Sequence, residues 1–209
     1  MLEARDIEAI RGDATLFSRL GFTLAPGGLL RVTGANGSGK TSLLRILCGL
    51  LAPTAGEVRW KSESIRTLRE EYWKHLAYVG HANALKDDLT APENLAFACA
   101  LAGLDCTPSR VREALDRFGL GDREWLPVRA FSQGQRRRTA LARLALSERL
   151  PLWILDEPFA ALDAAAVAHV QALAGAHLAR GGMIVLTTHQ EARIEAPAVT
   201  DVNLDGARR

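Results

Sequence analysis

The chain has 209 residues, of which 48% are hydrophobic, 24% are charged and 6% are aromatic. These are the proportions of an ordinary globular protein, and they exclude a disordered, collagen-like or low-complexity chain. The 26 Lys and Arg residues nearly balance the 24 Asp and Glu residues, so the chain lacks the strong positive charge of a typical nucleic-acid-binding protein. The length predicts one domain, or one domain with an inserted subdomain.

The three cysteines, Cys48, Cys99 and Cys106, form no CxxC pair and no CxxCH motif. We therefore expect neither a disulfide framework nor a zinc or heme site, and we interpret Cys99 and Cys106 as small helix residues in a reducing compartment. The N-terminus has no apolar signal-peptide core, and the longest uncharged run, at 164–179, is too short and too polar to span a bilayer. These features predict a cytoplasmic chain that does not cross a membrane by itself.

Apolar runs alternate with helical periodicities along the chain. A short apolar strand at 29–33 leads into Gly34, and leucines recur at helical spacing from Thr41 onward. Two further apolar runs, at 152–155 and 183–186, each end in polar residues, which suits strands buried on both faces of a parallel sheet. The sequence therefore predicts an α/β fold with a mostly parallel sheet.

The middle of the chain has a different pattern, because 81–130 is helical without an obvious buried strand. Thr90 with Glu93 three residues later is typical of a capping box, and Thr107-Pro108 is typical of a second helix start. We interpret this segment as a helical subdomain inserted into a single domain, whose core consists of 1–80 and 131–209.

The segment 34–41, GANGSGKT, matches the phosphate-binding pattern GxxxxGK followed by Ser or Thr, between a predicted strand and a predicted helix. Glycines let backbone N–H groups surround phosphate oxygens, and the helix N-terminus adds partial positive charge. Lys40 is placed for the β- and γ-phosphates of a nucleotide, and the Thr41 hydroxyl for Mg²⁺. The alternative is a glycine-rich turn that only starts a helix. The predicted ATP-binding residues of this segment are Gly34, Ala35, Asn36, Gly37, Ser38, Gly39, Lys40, Thr41 and Ser42.

A pair of carboxylates follows the apolar run at 152–155, where ligands bind in parallel sheets. Asp156 is placed to hold Mg²⁺, and Glu157 is placed to polarise an attacking water as a general base. The alternative for Asp156 and Glu157 is a helix-capping pair. Together with the segment 34–41, the pair predicts catalytic roles for Lys40 and Glu157 in ATP hydrolysis.

A third motif, FSQGQ at 131–135, precedes a predicted helix. Ser132 is a good N-cap for this helix, and Gly134 lets the backbone approach an anion closely. Taken alone it is a capped helix. Its spacing to Asp156, to Ala161-Leu162-Asp163 and to His189 resembles that of the ATP-binding-cassette (ABC) ATPase family over nearly the whole chain. FSQGQ resembles the LSGGQ signature, with Gln133 in place of the first glycine.

The resemblance extends to the other motifs. Residues 155–158 resemble the Walker B element, 161–163 the D-loop, and His189 the switch histidine that bridges Glu157 and the γ-phosphate. It implies a P-loop NTPase core, with an antiparallel β part at the N-terminus, and hydrolysis of ATP with Mg²⁺. It also implies a dimer of two copies in which the signature of one contacts ATP bound to the other. The signature residues of this chain are Ser132, Gln133, Gly134 and Gln135.

Two positions depart from the family pattern. Arg11 falls where an aromatic residue usually stacks on adenine; a guanidinium can stack on a base as well, and the alternative is a solvated loop arginine. His81 follows Gly80 where the family has a Gln that senses Mg²⁺ and the γ-phosphate. The Gly80-His81 pair resembles the branch of the family that serves cytochrome c maturation by heme export. Because of their positions in the family pattern, Arg11 and His81 are predicted ATP-binding residues.

That branch implies an integral membrane partner (CcmB-like, with CcmC-like and heme-chaperone components) at the cytoplasmic face of the bacterial inner membrane. ATP turnover would release the heme-loaded chaperone, and no nucleic acid is expected. The alternatives are an exporter cassette for another substrate, a soluble cassette that acts on DNA or ribosomes, and a non-catalytic cassette. Apolar residues near His81 are interpreted either as a docking surface or as core, and the basic run 136–138 mainly as a solvated face. The apolar residues are Leu85, Leu89, Leu95 and Phe97.

Overall fold

The computed structural model describes residues 1–104, 106–188 and 193–207. The strands are β1 (Leu2–Arg11), β2 (Ala14–Leu24), β3 (Gly28–Thr33), β4 (Ala55–Trp60), β5 (Glu63–Ser64), β6 (Leu76–Val79), β7 (Leu152–Asp156), β8 (Met183–Thr187) and β9 (Ala198–Asn203). The helices are α1 (Lys40–Leu47), α2 (Ile65–Leu68), α3 (Glu70–Trp73), α4 (Ala91–Leu101), α5 (Pro108–Arg117), α6 (Gln133–Leu146) and α7 (Ala164–Ala179). None of these helices is long and apolar enough to cross a bilayer, within the residues described.

The N-terminal part is an antiparallel sheet with the order β2-β1-β4-β5. Strand β1 buries every second residue at its start, where Leu2 and Ala4 face the core, and the phase shifts at an irregularity before Ile7. Alternation of this kind is typical of a sheet with one buried face. The expected antiparallel β part is therefore present at the N-terminus.

The second sheet is entirely parallel, with the order β6-β7-β8-β3-β9. All residues of β7 and β8 are buried, which explains their continuous apolar sequence. Because parallel strands end at one edge, the carboxyl ends of β3, β7 and β8 lie together there. The predicted α/β fold with a mostly parallel sheet is confirmed.

Helices α4 and α5 occupy the predicted insertion. Thr90 and Glu93 form the capping box of α4, and Thr107 caps α5 with Pro108 at its first position, as predicted. Both helices share one hydrophobic cluster with α6 and with strands β6 and β7. The division of the chain at residues 81 and 130 stays a prediction.

A disulfide corrects the sequence prediction, because Cys99 in the last turn of α4 and Cys106 in the connection to α5 are bonded to each other in the structure. Helix α4 ends at Leu101, and Gly103 with φ of 64° then reverses the chain direction. This reversal places the Cα atoms of the two cysteines 6.2 Å apart. A search for CxxC motifs could not detect this pair, because a turn and not a short spacing brings the thiols together.

Candidate nucleotide site and the adjoining groove

The glycine-rich segment follows β3 and opens helix α1. Gly39, the N-cap residue of α1, has φ of 103°, a conformation that favours glycine. The buried Lys40 ammonium donates hydrogen bonds to the carbonyl oxygens of Gly34 at 2.8 Å and of Ala35 at 3.0 Å. The lysine is therefore held over the loop by acceptors that phosphate oxygens could replace.

A carboxylate that sequence reasoning missed also contacts this loop. The backbone N–H of Ala35 donates to both oxygens of Asp205, at 2.9 and 3.1 Å. Asp205 lies after β9, which pairs with β3, so sheet pairing brings it to the loop from the far end of the chain. No motif in the sequence connects residues 170 positions apart, and this contact was therefore not predictable.

The acidic end of β7 lies directly beside the loop. The Thr41 hydroxyl donates to Asp156 Oδ2 at 2.9 Å, and the Thr187 hydroxyl donates to Asp156 Oδ1 at 2.7 Å. Asp156 is 2% exposed, and two hydroxyl groups thus fix both of its oxygens. A hydroxyl and a carboxylate in contact are oxygen ligands of the kind that Mg²⁺ prefers, so the residues present fit this ion.

Glu157 adopts a left-handed backbone conformation with φ of 50°. Its N–H donates to the Thr187 hydroxyl oxygen at 2.9 Å, and this bond turns the chain at the end of the strand. Thr187 was not among the predicted site residues. Its signal in the sequence is a polar residue directly after the apolar run 183–186; in the structure it is the last residue of β8, opposite Asp156.

A cleft of about 440 Å³ gathers most of the predicted nucleotide-binding residues. Arg11 and His81, the two departures from the family pattern, both line it together with the acidic pair. Gly34, Ala35 and Ser38 of the glycine-rich segment do not line it, and Ser38 is fully buried. The lining residues are Arg11, Leu16, Asn36, Gly37, Gly39, Lys40, Thr41, Ser42, His81, Asp156, Glu157 and Ala160.

The FSQGQ motif lies outside this cleft. Ser132 caps α6 and forms a capping box with Gln135, and the side chains of Ser132 and Gln133 are exposed. A Cβ atom on Gly134 would lie 2.9 Å from the Ala161 carbonyl oxygen, so only glycine fits this close approach. Within one chain the motif is therefore presented to solvent. His189, the predicted switch histidine, lies outside the described residues.

The basic run at 136–138 is not a solvated face throughout, which corrects the sequence interpretation. Arg137 is 4% exposed, and its guanidinium donates to the backbone carbonyl oxygen of Asp156 at the end of β7. Arg136 pairs with Asp87, and Arg138 donates to the Phe118 carbonyl oxygen at 3.2 Å. On a helix, consecutive residues point in different directions, so three arginines in a row meet three different environments.

A second, larger cavity of about 1020 Å³ adjoins the cleft and shares Thr41 and His81 with it. Leu85 and Phe97 line this groove as proposed, whereas Leu95 is buried in the core and Leu89 lies outside the lining. Several of its apolar side chains are strongly exposed, namely Leu50, Trp73, Phe97 and Leu101. The lining includes the cations Arg45, Lys86 and Arg143, and no Asp or Glu among the residues that the structure describes.

Known proteins are similar to this chain in both sequence and fold. The profile of the ABC transporter family matches residues 17–160. Among curated relatives, the cytochrome c biogenesis ATP-binding export protein CcmA of Nitrosospira multiformis is 52% identical over 97% of this chain and 98% of its own. The protein of the same name from Aromatoleum aromaticum is 54% identical over 94% of this chain and 92% of its own.

Solved structures of ATP-binding cassettes have a similar fold. The ATP-binding subunit of an ABC transporter superposes with a TM-score of 0.81 at 27% identity, over 90% of this chain and 79% of its own. A dimeric ATP-binding cassette bound to ADP and Pi superposes with a TM-score of 0.79 at 25% identity, over 91% of this chain and 88% of its own. With this fold and the cleft between Lys40 and Glu157, the chain belongs to the ABC transporter family as an ATP-hydrolysing cassette.

Proposed function

We propose that this cassette is the ATP-hydrolysing subunit of a membrane complex for heme handling in c-type cytochrome biogenesis, where its turnover releases a heme-loaded chaperone. One observation carries the catalytic part of the proposal. Lys40, Thr41, Asp156 and Glu157 line one cleft although 115 residues separate Thr41 from Asp156. The names of relatives with about 50% identity support the biological part.

In the proposed reaction, ATP enters the cleft with its phosphates at the N-terminus of α1. The Lys40 ammonium exchanges the Gly34 and Ala35 carbonyl oxygens for β- and γ-phosphate oxygens, and the loop N–H groups bind the remaining phosphate charge. Thr41 and Asp156 would hold Mg²⁺, which when bound neutralises charge on the phosphates. Glu157 orients a water molecule and accepts its proton as the water oxygen forms a bond to the γ-phosphorus. The bond between the γ-phosphorus and the β–γ bridging oxygen breaks at the same step, so ADP is the leaving group and inorganic phosphate the second product.

The exposed FSQGQ motif supports a composite site. We propose that Ser132, Gly134 and their neighbours in one copy of the chain donate to the γ-phosphate of ATP bound to a second copy. The N-terminus of α6 then adds preorganised N–H groups to the phosphoryl oxygens. His189 would bridge Glu157 and the γ-phosphate in the same closed dimer.

Two exposed residues that line the cleft have proposed binding roles. The side chain of Arg11 is exposed in the cleft lining, so its guanidinium can stack on the adenine base. His81 lines both the cleft and the groove, and it would sense the γ-phosphate from the groove side.

The groove is the proposed docking site for the membrane subunit, a CcmB-like protein with CcmC-like and heme-chaperone partners. Contiguous exposed apolar side chains mark interaction surfaces, and Leu101 is 75% exposed. Three cations without a carboxylate among the described lining residues favour an acidic, amphipathic segment of the partner. The chain would then lie as a peripheral subunit on the cytoplasmic face of the inner membrane.

The proposal is tested by deleting the gene in its source organism and restoring it from a plasmid. Covalently bound heme in c-type cytochromes is measured by in-gel staining. We expect wild type to restore the heme, and Lys40→Ala to fail because its phosphate contacts are lost. Asp201→Asn, which removes an exposed ion pair with Arg31, is the matched control and should restore it fully. Normal heme content in the deletion strain would refute the cytochrome c role.

A further inference from the structure

Arg137 is a buried cation beside the end of β7, where the acidic pair Asp156 and Glu157 lies. It lies one turn into α6 and is 4% exposed, although arginine is rarely buried unless it is paired. Each terminal nitrogen of its guanidinium makes two hydrogen bonds, to four different acceptors. None of these acceptors is a carboxylate oxygen.

The two nitrogens bind two different parts of the chain. Nη2 donates to the backbone carbonyl oxygens of Asp156 and Glu157, both at 2.8 Å. Nη1 donates to the Gly80 carbonyl oxygen at 2.9 Å and to Asn83 Oδ1 at 3.2 Å. The planar guanidinium thus connects the end of β7 with the loop that follows β6.

Both connected parts have functions under the proposal above. Gly80 and Asn83 line the groove, and Glu157 lines the nucleotide cleft. From the other side, the Thr187 hydroxyl accepts the Glu157 N–H at 2.9 Å. The left-handed Glu157 backbone is therefore held between Thr187 and Arg137, and its conformation is one that non-glycine residues rarely adopt.

The cation is costly at this position. Burial lowers the pKa of Arg137, and the negative charges of Asp156 and Glu157 act in the opposite direction. Carbonyl dipoles replace the lost hydration only in part, so a buried arginine without a carboxylate contact does little for stability. A role in positioning the acidic pair explains why a charged group occupies this site.

We propose that Arg137 is a positioning residue that sets the orientation of Glu157 and connects it to the groove wall at Gly80 and Asn83. The inference rests on the proposed role of Glu157 as general base. Arg137 does not line the nucleotide cleft, so its loss should change the chemical step and not the binding of ATP.

The test compares steady-state ATP turnover of Arg137→Met with wild type. We expect kcat to fall by about 10- to 100-fold, the effect of misplacing a catalytic group, while KM for ATP changes less than about threefold. Arg137→Lys keeps one donor group and should give an intermediate kcat. Arg138→Met is the matched control and should leave kcat unchanged. Within the described part of the chain, its guanidinium donates to the Phe118 carbonyl oxygen and not to the end of β7.

A double variant separates positioning from a general structural effect. If Arg137 acts through Glu157, then Arg137→Met should add less than about threefold to the loss already caused by Glu157→Gln, because residues that act as a unit are not additive. Multiplicative losses, an unchanged kcat in Arg137→Met, or loss of fluorescent-nucleotide binding in both Arg137→Met and Arg137→Lys would each overturn the inference. Full turnover in Glu157→Gln alone would instead refute the general-base role on which it rests.

Discussion

The nucleotide cleft and the groove meet at His81 and Thr41 but are built in different ways. Backbone N–H groups, Lys40 and two carboxylates line the cleft, whereas exposed apolar side chains and cations line the larger groove. The cleft depends on a few atoms at fixed distances, and the groove depends on area and overall charge. A single substitution in the cleft should therefore cause a large loss of ATP turnover, whereas a single substitution in the groove should weaken partner binding only moderately.

The largest expected effect is that of Glu157→Gln. The amide keeps the size of the side chain but cannot accept the proton of the attacking water, so we expect kcat to fall by about 10²- to 10⁴-fold. ATP binding should persist, because Lys40 and the loop are unchanged. Turnover is measured by phosphate release and binding by a fluorescent nucleotide analogue.

The matched control for this change is Asp201→Asn, which exchanges a carboxylate for an amide on the exposed edge strand β9. A surface ion pair contributes about 0–1 kcal/mol, so this variant should turn over ATP like wild type. Equal rates in Glu157→Gln and wild type would show that the acidic pair of the cleft is structural.

The next effect concerns the exposed signature motif. Ser132→Arg places a long cation at the N-terminus of α6, where the proposed partner's γ-phosphate would bind. We expect turnover to fall by about 10²- to 10³-fold, as for loss of a donor to the transition state, with unchanged ATP affinity of the isolated chain. Turnover is followed by phosphate release across a range of protein concentrations, because a composite site needs two copies.

Mixing Ser132→Arg with Lys40→Ala sharpens this result. Each mixed dimer should regain at most one working site, since the intact signature of one copy faces the intact loop of the other. If Ser132→Arg instead loses ATP binding as a monomer, the signature acts within its own chain and the composite site is wrong.

The smallest expected effect lies away from both cavities. His177 stacks on Trp153 with ring centroids 3.9 Å apart, and burial lowers the pKa of His177 to about 4. Its ordinary value is 6.5, so the unfolded chain binds a proton between these pH values that the folded chain does not. Stability should therefore fall as pH falls below about 6.5, by about 1 kcal/mol between pH 7.5 and 5.5.

His177→Phe keeps a stacked ring and removes the titration. Thermal unfolding of wild type should lose about 2–4 °C more than this variant between pH 7.5 and 5.5, while ATP turnover at pH 7.5 stays equal. Parallel pH dependence of the two melting temperatures would show that this histidine is not buried in its neutral form.

Sequence predicted the cleft far better than the groove. Segment 34–41 and the acidic pair are local motifs whose geometry follows from a strand, a turn and a helix, so the sequence could place them together. The structure brings most of them to one cleft, and their roles stay predictions. Asp205 and Thr187 could not be assigned, because sheet pairing brings them to the site. Arg137 was interpreted as part of a solvated basic run, because only the packing of α6 distinguishes this buried arginine from its two neighbours.

The helical segment 81–130 gave a mixed result for a related reason. Its caps at Thr90 and Thr107 are local signals and were predicted. The Cys99–Cys106 disulfide depends on how α4 ends, and the sequence pattern did not indicate it. The pattern left open whether Leu95 is core or surface, and the packing of α4 buries it.

The most direct test of the two-cavity account is a titration of ATP turnover with the purified membrane subunit in detergent. Leu101→Glu adds a negative charge to an exposed apolar residue of the groove without touching the cleft. We expect this variant to keep the basal rate of the isolated chain and to need about tenfold more subunit for half-maximal response. Val199→Glu is the control, because it changes an exposed residue of β9, the edge strand opposite β6 in the parallel sheet. This variant should titrate like wild type. The same half-maximal concentration for Leu101→Glu and wild type would contradict the assignment of the groove.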